Sequence, residues 1–226
     1  MLDKNVSLYI TSGHPQVFIH YLKELDGGGT RVSKYFIKIL NKYYPNIHFK
    51  NCLEWCSGPG FIGFEILSNN ICSDISFMDK YQPALDSILE TINVNNLNKN
   101  IKIYNASKIS DIQLEKYNLI VGNPPWQKSM PVGIKSQDLQ YVRRNIDENL
   151  LIHNEFFVNV DKLLVDNGVV IIAAATYKYT CVDKSDFKNM IKNTSLKLID
   201  FYFPDTEVGE REYSYTYYAI FQKINL

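Results

Sequence analysis

The sequence predicts an α/β fold: a doubly wound, mostly parallel seven-stranded sheet with a small helical N-terminal extension. Three observations predict it. After Pro45, short apolar runs alternate with helical periodicities. A glycine-rich loop joins the first run to the helix behind it. The last two runs alternate apolar and polar residues across a hairpin-like link, the pattern of an antiparallel pair closing the sheet.

Residues 1–45 read as a helical extension or lid, and residues 46–226 as the ligand-binding domain. From His14 to about Tyr44 the pattern suggests two helices broken at Asp26-Gly27-Gly28-Gly29, because consecutive glycines are a poor helix interior. The second, Thr30–Tyr44, places Val32, Tyr35, Phe36, Ile39 and Leu40 on one apolar face. Lys50–Trp55 is the first expected strand, followed by a helix over Ile62–Ser68. Asp74–Met78 is the second, followed by a helix over Pro83–Asn95. Ile101–Tyr104 and Leu119–Val121 are the third and fourth. A helix over Leu150–Leu164 leads through Asp166-Asn167-Gly168 to the strand Val169–Ala174. Lys197–Phe203 and Tyr215–Gln222 are the closing pair, linked by the acidic loop Pro204–Glu212.

At 226 residues the chain can bury a core without disulfides or metal. Apolar residues are 46% and charged residues 21%, the balance of a globular chain rather than a disordered one. Its 24 Lys and Arg are matched by 24 Asp and Glu. Binding along a nucleic-acid backbone calls for a basic surplus or face. There is no overall surplus, and a stripe of Lys34, Lys38 and Lys42 has the spacing of an ordinary solvated helix face. Cys52, Cys56, Cys72 and Cys181 form no CxxC pair and lie near apolar runs, which reads as reduced thiols of a cytoplasmic protein. The four histidines lack ligand spacing, so no metal is expected. No signal-peptide core and no bilayer-length apolar run occurs, so no membrane partner is expected.

Two motifs carry chemistry. Glu54-Trp55-Cys56-Ser57-Gly58-Pro59-Gly60-Phe61-Ile62-Gly63 has the form E-x-x-x-G-x-G-x-x-G at a strand-to-helix junction. Gly58 and Gly60 let the backbone turn and approach a ligand, and Gly63 lets the helix pack close to the strand. Nicotinamide and flavin folds use such loops too. Here Glu54 stands where a carboxylate can face the amino group of a methionine moiety. Asp79 ends the second strand, where an acid can take both ribose hydroxyls. Both suit S-adenosyl-L-methionine.

The second motif is Asn123-Pro124-Pro125-Trp126, directly after the fourth strand. With it the sequence resembles the class I methyltransferases that carry an N-P-P-[YFW] signature, among them adenine-N6 methyltransferases of DNA and RNA and glutamine-N5 methyltransferases. The resemblance runs from about Lys50 to the C-terminus and implies a Rossmann-like fold, S-adenosylmethionine as methyl donor and a planar nitrogen as acceptor. The Asn123 side-chain oxygen and the Pro124 carbonyl would accept the acceptor's two N–H groups. Trp126 would stack on its plane, and Pro125 would stiffen the acceptor side of the loop. Many relatives have an acid just beyond the third strand to meet the adenine amino group; this chain has Asn105-Ala106-Ser107, with Asn105 the candidate.

Two further segments leave alternatives open. The glycines at 27–29 either fold the chain over the cofactor, with Arg31 meeting a carboxylate, or end one helix and begin the next. Glu207 and Glu210, in the acidic loop, either face a cationic acceptor or belong to a solvated hairpin. The function expected is methyl transfer to an amide, guanidine or similar nitrogen of a protein side chain or small molecule. Adenine-N6 methylation of RNA or DNA is the alternative, and a silent cofactor-binding scaffold the second.

Overall fold

The computed structural model describes residues 5–97, 100–112, 115–131, 133, 135, 138–177, 181–204 and 214–224. The chain divides into two compact units, residues 1–107 with 117–122, and residues 108–116 with 123–226. The strands form a seven-stranded sheet, mostly parallel, in the order β5-β4-β3-β6-β7-β9-β8 with the ranges given below, and a separate hairpin, β1-β2.

The first unit opens with that hairpin: β1 (Val6–Ile10) and β2 (Phe18–Leu22) pair antiparallel, Ile10 opposite Phe18 and Val6 opposite Leu22. The helix expected from His14 is therefore corrected to a strand. Neighbouring residues there face opposite ways: Ile19 is buried, while Phe18 is 41% exposed. On the inner face Tyr9 and Tyr21 both meet the Phe61 ring edge-on, at 5.5 and 4.8 Å between centroids. After a single 3-10 turn (Lys23–Leu25) comes α1 (Gly29–Tyr43). Gly28 is its N-cap, and Asp26 braces the turn before it, accepting the Gly28 N–H at 2.9 Å and the Thr30 hydroxyl at 2.6 Å. The glycines are thus a helix start, as one expected alternative had it, but what precedes them is a hairpin and one 3-10 turn. α1 buries Val32, Phe36, Ile37, Ile39 and Leu40. Tyr35, expected on that face, is half-buried with Lys38 Nζ 5.0 Å from its ring centre.

β3 (Phe49–Trp55), α2 (Phe61–Ser68), β4 (Cys72–Asp79), α3 (Gln82–Val94), β5 (Ile101–Asn105) and β6 (Tyr117–Gly122) follow the expected alternation. β3 pairs in parallel with β4 and β6, and β4 with β5. Residues 52–55 are all buried, as a parallel strand covered on both faces requires. Every residue of α2 is buried, including Glu65. Its carboxylate accepts the Tyr9 hydroxyl at 2.6 Å, and the Ser12 hydroxyl and N–H at 2.6 and 3.0 Å. These bonds tie the hairpin to α2.

The second unit contains α4 (Leu139–Asn145), α5 (Leu151–Leu163), β7 (Leu164–Tyr177), α6 (Lys184–Met190), β8 (Leu196–Tyr202) and β9 (Ser214–Lys223). α5 runs directly into β7, so the expected turn at 166–168 lies within the strand, with Asn167 at φ 61°. The closing pair is antiparallel as expected, β9 lying between β7 and β8. Its core is aromatic: Phe187 meets Phe157, Tyr217 and Phe221 at 5.8–6.3 Å. Burying each such ring contributes about 1.5–3 kcal/mol. His153 is buried in this core with Nδ1 2.6 Å from Asp147 Oδ2, a structural place rather than a catalytic one.

No helix among the described residues is long and apolar enough to cross a membrane. All four cysteines are free thiols.

Candidate active site

The glycine loop leaves β3 at Trp55 and enters α2 at Phe61. Three of its residues take the left-handed backbone: Cys56 at φ 52°, Gly58 at 52° and Gly60 at 84°. Gly60 occupies the N-cap of α2 and has no side chain to satisfy the first N–H groups of the helix. Glu54 does so from β3: its two carboxylate oxygens accept the Ile62 N–H at 3.2 Å and the Gly63 N–H at 2.7 Å. The group is 2% exposed. Burial pushes its pKa up to about 8, against the pull of those two bonds. Glu54 is thus the anchor of the loop, a role the sequence reading did not assign.

The three glycines do different work. A Cβ on Gly63 would lie 2.5 Å from Phe77, 2.6 Å from Ile75 and 2.8 Å from the Glu54 carboxylate. One on Gly60 would lie 2.8–3.1 Å from Phe77 and Phe64. Close packing therefore requires both, as expected for Gly63; the missing side chain of Gly60 points into the core. Only at Gly58 would a Cβ enter open space, with nothing within 4 Å.

Asp79, half-buried at the end of β4, accepts the Gly58 N–H at 2.8 Å through one oxygen and the Tyr81 N–H at 2.9 Å through the other. Burial raises its pKa above the ordinary carboxylate value, partly offset by these N–H donors. Asn105 sits opposite Asp79 in the β4–β5 register, exposed, and donates to the Gln82 side chain at 2.7 Å. The C-terminal ends of β3, β4 and β5 thus bring Gly58, Asp79 and Asn105 to one edge of the first unit, where ligands bind in open α/β sheets. Arg31 lies on the first turn of α1, exposed.

Asn123, Pro124, Pro125 and Trp126 begin the second unit's main segment, one residue after β6. Pro124 is buried and the other three half-buried. The Trp126 indole N–H donates to Asn123 Oδ1 at 3.2 Å. Behind it, the Trp126 carbonyl accepts the Val182 N–H at 2.8 Å. Gln127 bridges Ile146 on one side and Cys181 on the other. Lys128 pairs with Asp183, at 3.7 Å, and with Asp186. Glu207 and Glu210 lie outside the described residues.

The sequence reading also missed Glu65, although a single carboxylate in the otherwise apolar run Phe61–Ser68 was a signal that a buried acid needed partners.

A family model described as the methyltransferase small domain matches residues 10–138. The chain belongs to that family. The chain is 23% identical over 155 residues to the ribosomal protein uL3 glutamine methyltransferase of Francisella tularensis subsp. tularensis (strain SCHU S4 / Schu 4), covering 64% of this chain and 49% of the relative. Among solved structures it is similar to the T. thermophilus 16S rRNA N2 G1207 methyltransferase in complex with AdoMet and guanosine, with TM-score 0.61 and 10% identity, over 100% of this chain and 52% of that one. It is also similar to a ribosomal protein L11 methylase from Lactobacillus delbrueckii subsp. bulgaricus, with TM-score 0.56 and 12% identity, over 85% and 79%. At such identities these two likenesses speak for the fold. The chain spans about half the length of the curated relative it matches.

S-adenosylmethionine, the cofactor that the resemblance implies, is bound in the T. thermophilus structure. The open space at Gly58, the left-handed loop and the half-buried Asp79 beside Asn105 fit it. Glu54 fits less directly, since both its oxygens already hold α2.

Proposed function

We propose that this chain transfers a methyl group from S-adenosylmethionine to a planar, N–H-bearing nitrogen, and that the acceptor is a side-chain amide of a protein. The observation that carries the reading is the position of Asn123-Pro124-Pro125-Trp126. It follows β6 directly, and the last residue of β6, Gly122, is in register with Trp55 at the root of the glycine loop. The glutamine named for the F. tularensis relative supports an amide.

When bound, S-adenosylmethionine supplies a sulfonium methyl group open to in-line displacement. In this proposal Gly58 gives the loop room to approach the ligand, Asp79 takes the ribose hydroxyls and Asn105 meets the adenine edge. Asn123 Oδ1 and the Pro124 carbonyl accept the acceptor's two N–H groups and favour loss of planarity at nitrogen. Trp126 stacks on the acceptor's plane, and Pro125 stiffens the loop. Catalysis is then positioning and electrostatics, with no strong base required. Glu207 and Glu210 suit a cationic neighbourhood around the acceptor, and Arg31 suits a carboxylate.

A second reading, a base nitrogen of RNA, is favoured by α1. Arg31, Lys34, Lys38 and Lys42 are exposed along it, the helix carries no acid, and the three lysines lie 5.0–5.8 Å from tyrosine ring centres. Cations interleaved with aromatic rings suit a nucleic-acid strand.

The test offers the chain tritiated S-adenosylmethionine with purified ribosomal protein uL3 and, separately, with ribosomal RNA. The expected outcome is label in uL3. Label in RNA alone would replace the first reading by the second, and no S-adenosylhomocysteine from either would favour a silent scaffold.

A further inference from the structure

An asparagine side chain has two ends of similar shape and opposite chemistry: an oxygen that accepts and an NH2 group that donates. Its last torsion is broad and nearly two-fold, so nothing local decides which end faces a ligand. For an acceptor that is itself an N–H donor the choice matters, because only the oxygen can receive it. In this chain Trp126 bears on that choice. Its indole N–H donates to Asn123 Oδ1 at 3.2 Å, three residues back across the two prolines. Turning the amide over would set the NH2 group against the indole N–H, donor against donor, and lose the bond. The oxygen has two lone pairs, so one remains for a ligand while the indole holds the other.

The backbone that carries the indole is itself held. The Trp126 carbonyl accepts the Val182 N–H at 2.8 Å. The Gln127 N–H donates to the Asn145 carbonyl, and the Gln127 carbonyl accepts the Asp147 N–H, both at 2.8 Å. Tyr141 donates its hydroxyl to the Gln127 side chain at 3.0 Å. Phenylalanine or tyrosine at this place would supply a face for stacking but no N–H on the ring edge.

We propose that Trp126 is a positioning residue that fixes the Asn123 amide with its oxygen, not its NH2 group, toward the acceptor nitrogen. The inference rests on the acceptor reading above and deepens it, since it gives the aromatic residue a role besides stacking. It also implies that the fixing is needed only for an amide. A carboxylate presents an oxygen whichever way it turns.

The experiment has two arms, both on the full chain. With 15N-tryptophan labelling the two indoles give two N–H signals, and Trp55, 2% exposed, serves as the internal reference. Exchange of the Trp126 indole N–H with solvent should rise on the order of tenfold in Asn123→Ala, the change expected for losing one hydrogen bond, and stay near wild type in Asn123→Asp. Unchanged exchange in Asn123→Ala would overturn the proposal. The second arm is a double-mutant cycle with tritiated S-adenosylmethionine and purified uL3, or ribosomal RNA if that is what the wild-type chain labels. Trp126→Phe should lower kcat about 3–10-fold in the asparagine background with KM little changed, and under about 2-fold in the Asn123→Asp background. Equal losses in both backgrounds would mean that Trp126 acts by stacking alone, and would also overturn the proposal. Wild-type turnover on neither acceptor would overturn the acceptor reading; the indole exchange rates would then decide the positioning role by themselves.

Discussion

Asp79 accepts the Gly58 N–H at 2.8 Å, so the acid at the end of β4 and the one open glycine of the loop are a single bonded unit. Asp79→Ala should therefore act twice, removing a ribose partner and loosening the loop. S-adenosylhomocysteine affinity should fall about 10–100-fold by calorimetry, the range for hydrogen bonds to a charged group. Asp79→Asn keeps one acceptor oxygen and should lose less. Undiminished affinity in the alanine variant would remove Asp79 from the cofactor site.

Gly58 and Gly63 should separate binding from stability. At Gly58 a side chain enters open space at φ 52°, so Gly58→Val should cost the fold only about 1–2 kcal/mol, the backbone penalty, while S-adenosylhomocysteine binding collapses. At Gly63 a Cβ meets Phe77, Ile75 and the Glu54 carboxylate at 2.5–2.8 Å, so Gly63→Ala should cost about 1–3 kcal/mol or more in denaturant titrations. A Gly63→Ala protein of wild-type stability would show that α2 can shift away from β3 at little cost.

Glu54 gives a pH dependence with a definite sign. Its pKa rises from an ordinary 4.5 to about 8 in the folded chain. Between those values the folded state holds a proton that the unfolded state has released. Stability contributed by this group is therefore full at low pH, falls as pH rises through the window, and levels off above about 8. Glu54→Gln should flatten that limb in urea titrations. The same group tests the expectation that Glu54 faces the amino group of the cofactor. A neighbouring ammonium would lower its pKa, and S-adenosylhomocysteine binding near neutral pH would release a proton, seen as buffer-dependent heats that vanish in Glu54→Gln. Buffer-independent heats in the wild type would leave Glu54 as an anchor only.

Asn123→Ala should lose about 10²–10³-fold in turnover while S-adenosylhomocysteine affinity stays near wild type. Asn123→Asp, which keeps an acceptor oxygen, should retain part of the activity. Wild-type turnover in the alanine variant would mean that the acceptor nitrogen is held elsewhere.

Reversing the charge of Lys34 and Lys38 to Glu should leave uL3 methylation unchanged and abolish the steep salt dependence of any RNA binding, read by filter binding at two ionic strengths. A loss of uL3 methylation would place α1 at the protein acceptor instead.

The order of elements was legible because it is a local property. The buried run Cys52–Trp55, the glycines at 58, 60 and 63, and Asp79 closing the next strand state a strand–loop–helix–strand unit through residues close in the chain. The antiparallel closure was legible too, since two strand-like runs close in the chain favour a hairpin-like return, although β9, lying between β7 and β8, buries Thr216 to Phe221 without alternation. The segment after His14 was not. Val17-Phe18-Ile19-His20-Tyr21-Leu22 is apolar enough for either element, and what decides it is pairing with β1 and the contact of Tyr21 with Phe61, 40 residues further on.

The sequence by itself determined a doubly wound sheet, a glycine loop at its first strand-to-helix junction and an N-P-P-W motif after the fourth expected strand. Spacing along the chain is enough to specify each of these, and the methyl donor is what the resemblance adds. Only the tertiary structure decided which atoms the polar groups meet. Glu54 faces the first N–H groups of α2. Glu65 holds Ser12, 53 residues away. Gly60 and Gly63 are required by the side chains of β3, β4 and α2, and of the three motif glycines Gly58 alone opens on free space. The Trp126 indole turns edge-on to Asn123. The physical reason is that a buried donor or acceptor must find a partner, and a close contact must find room, wherever packing supplies them; packing is settled between elements, which no periodicity within an element can state.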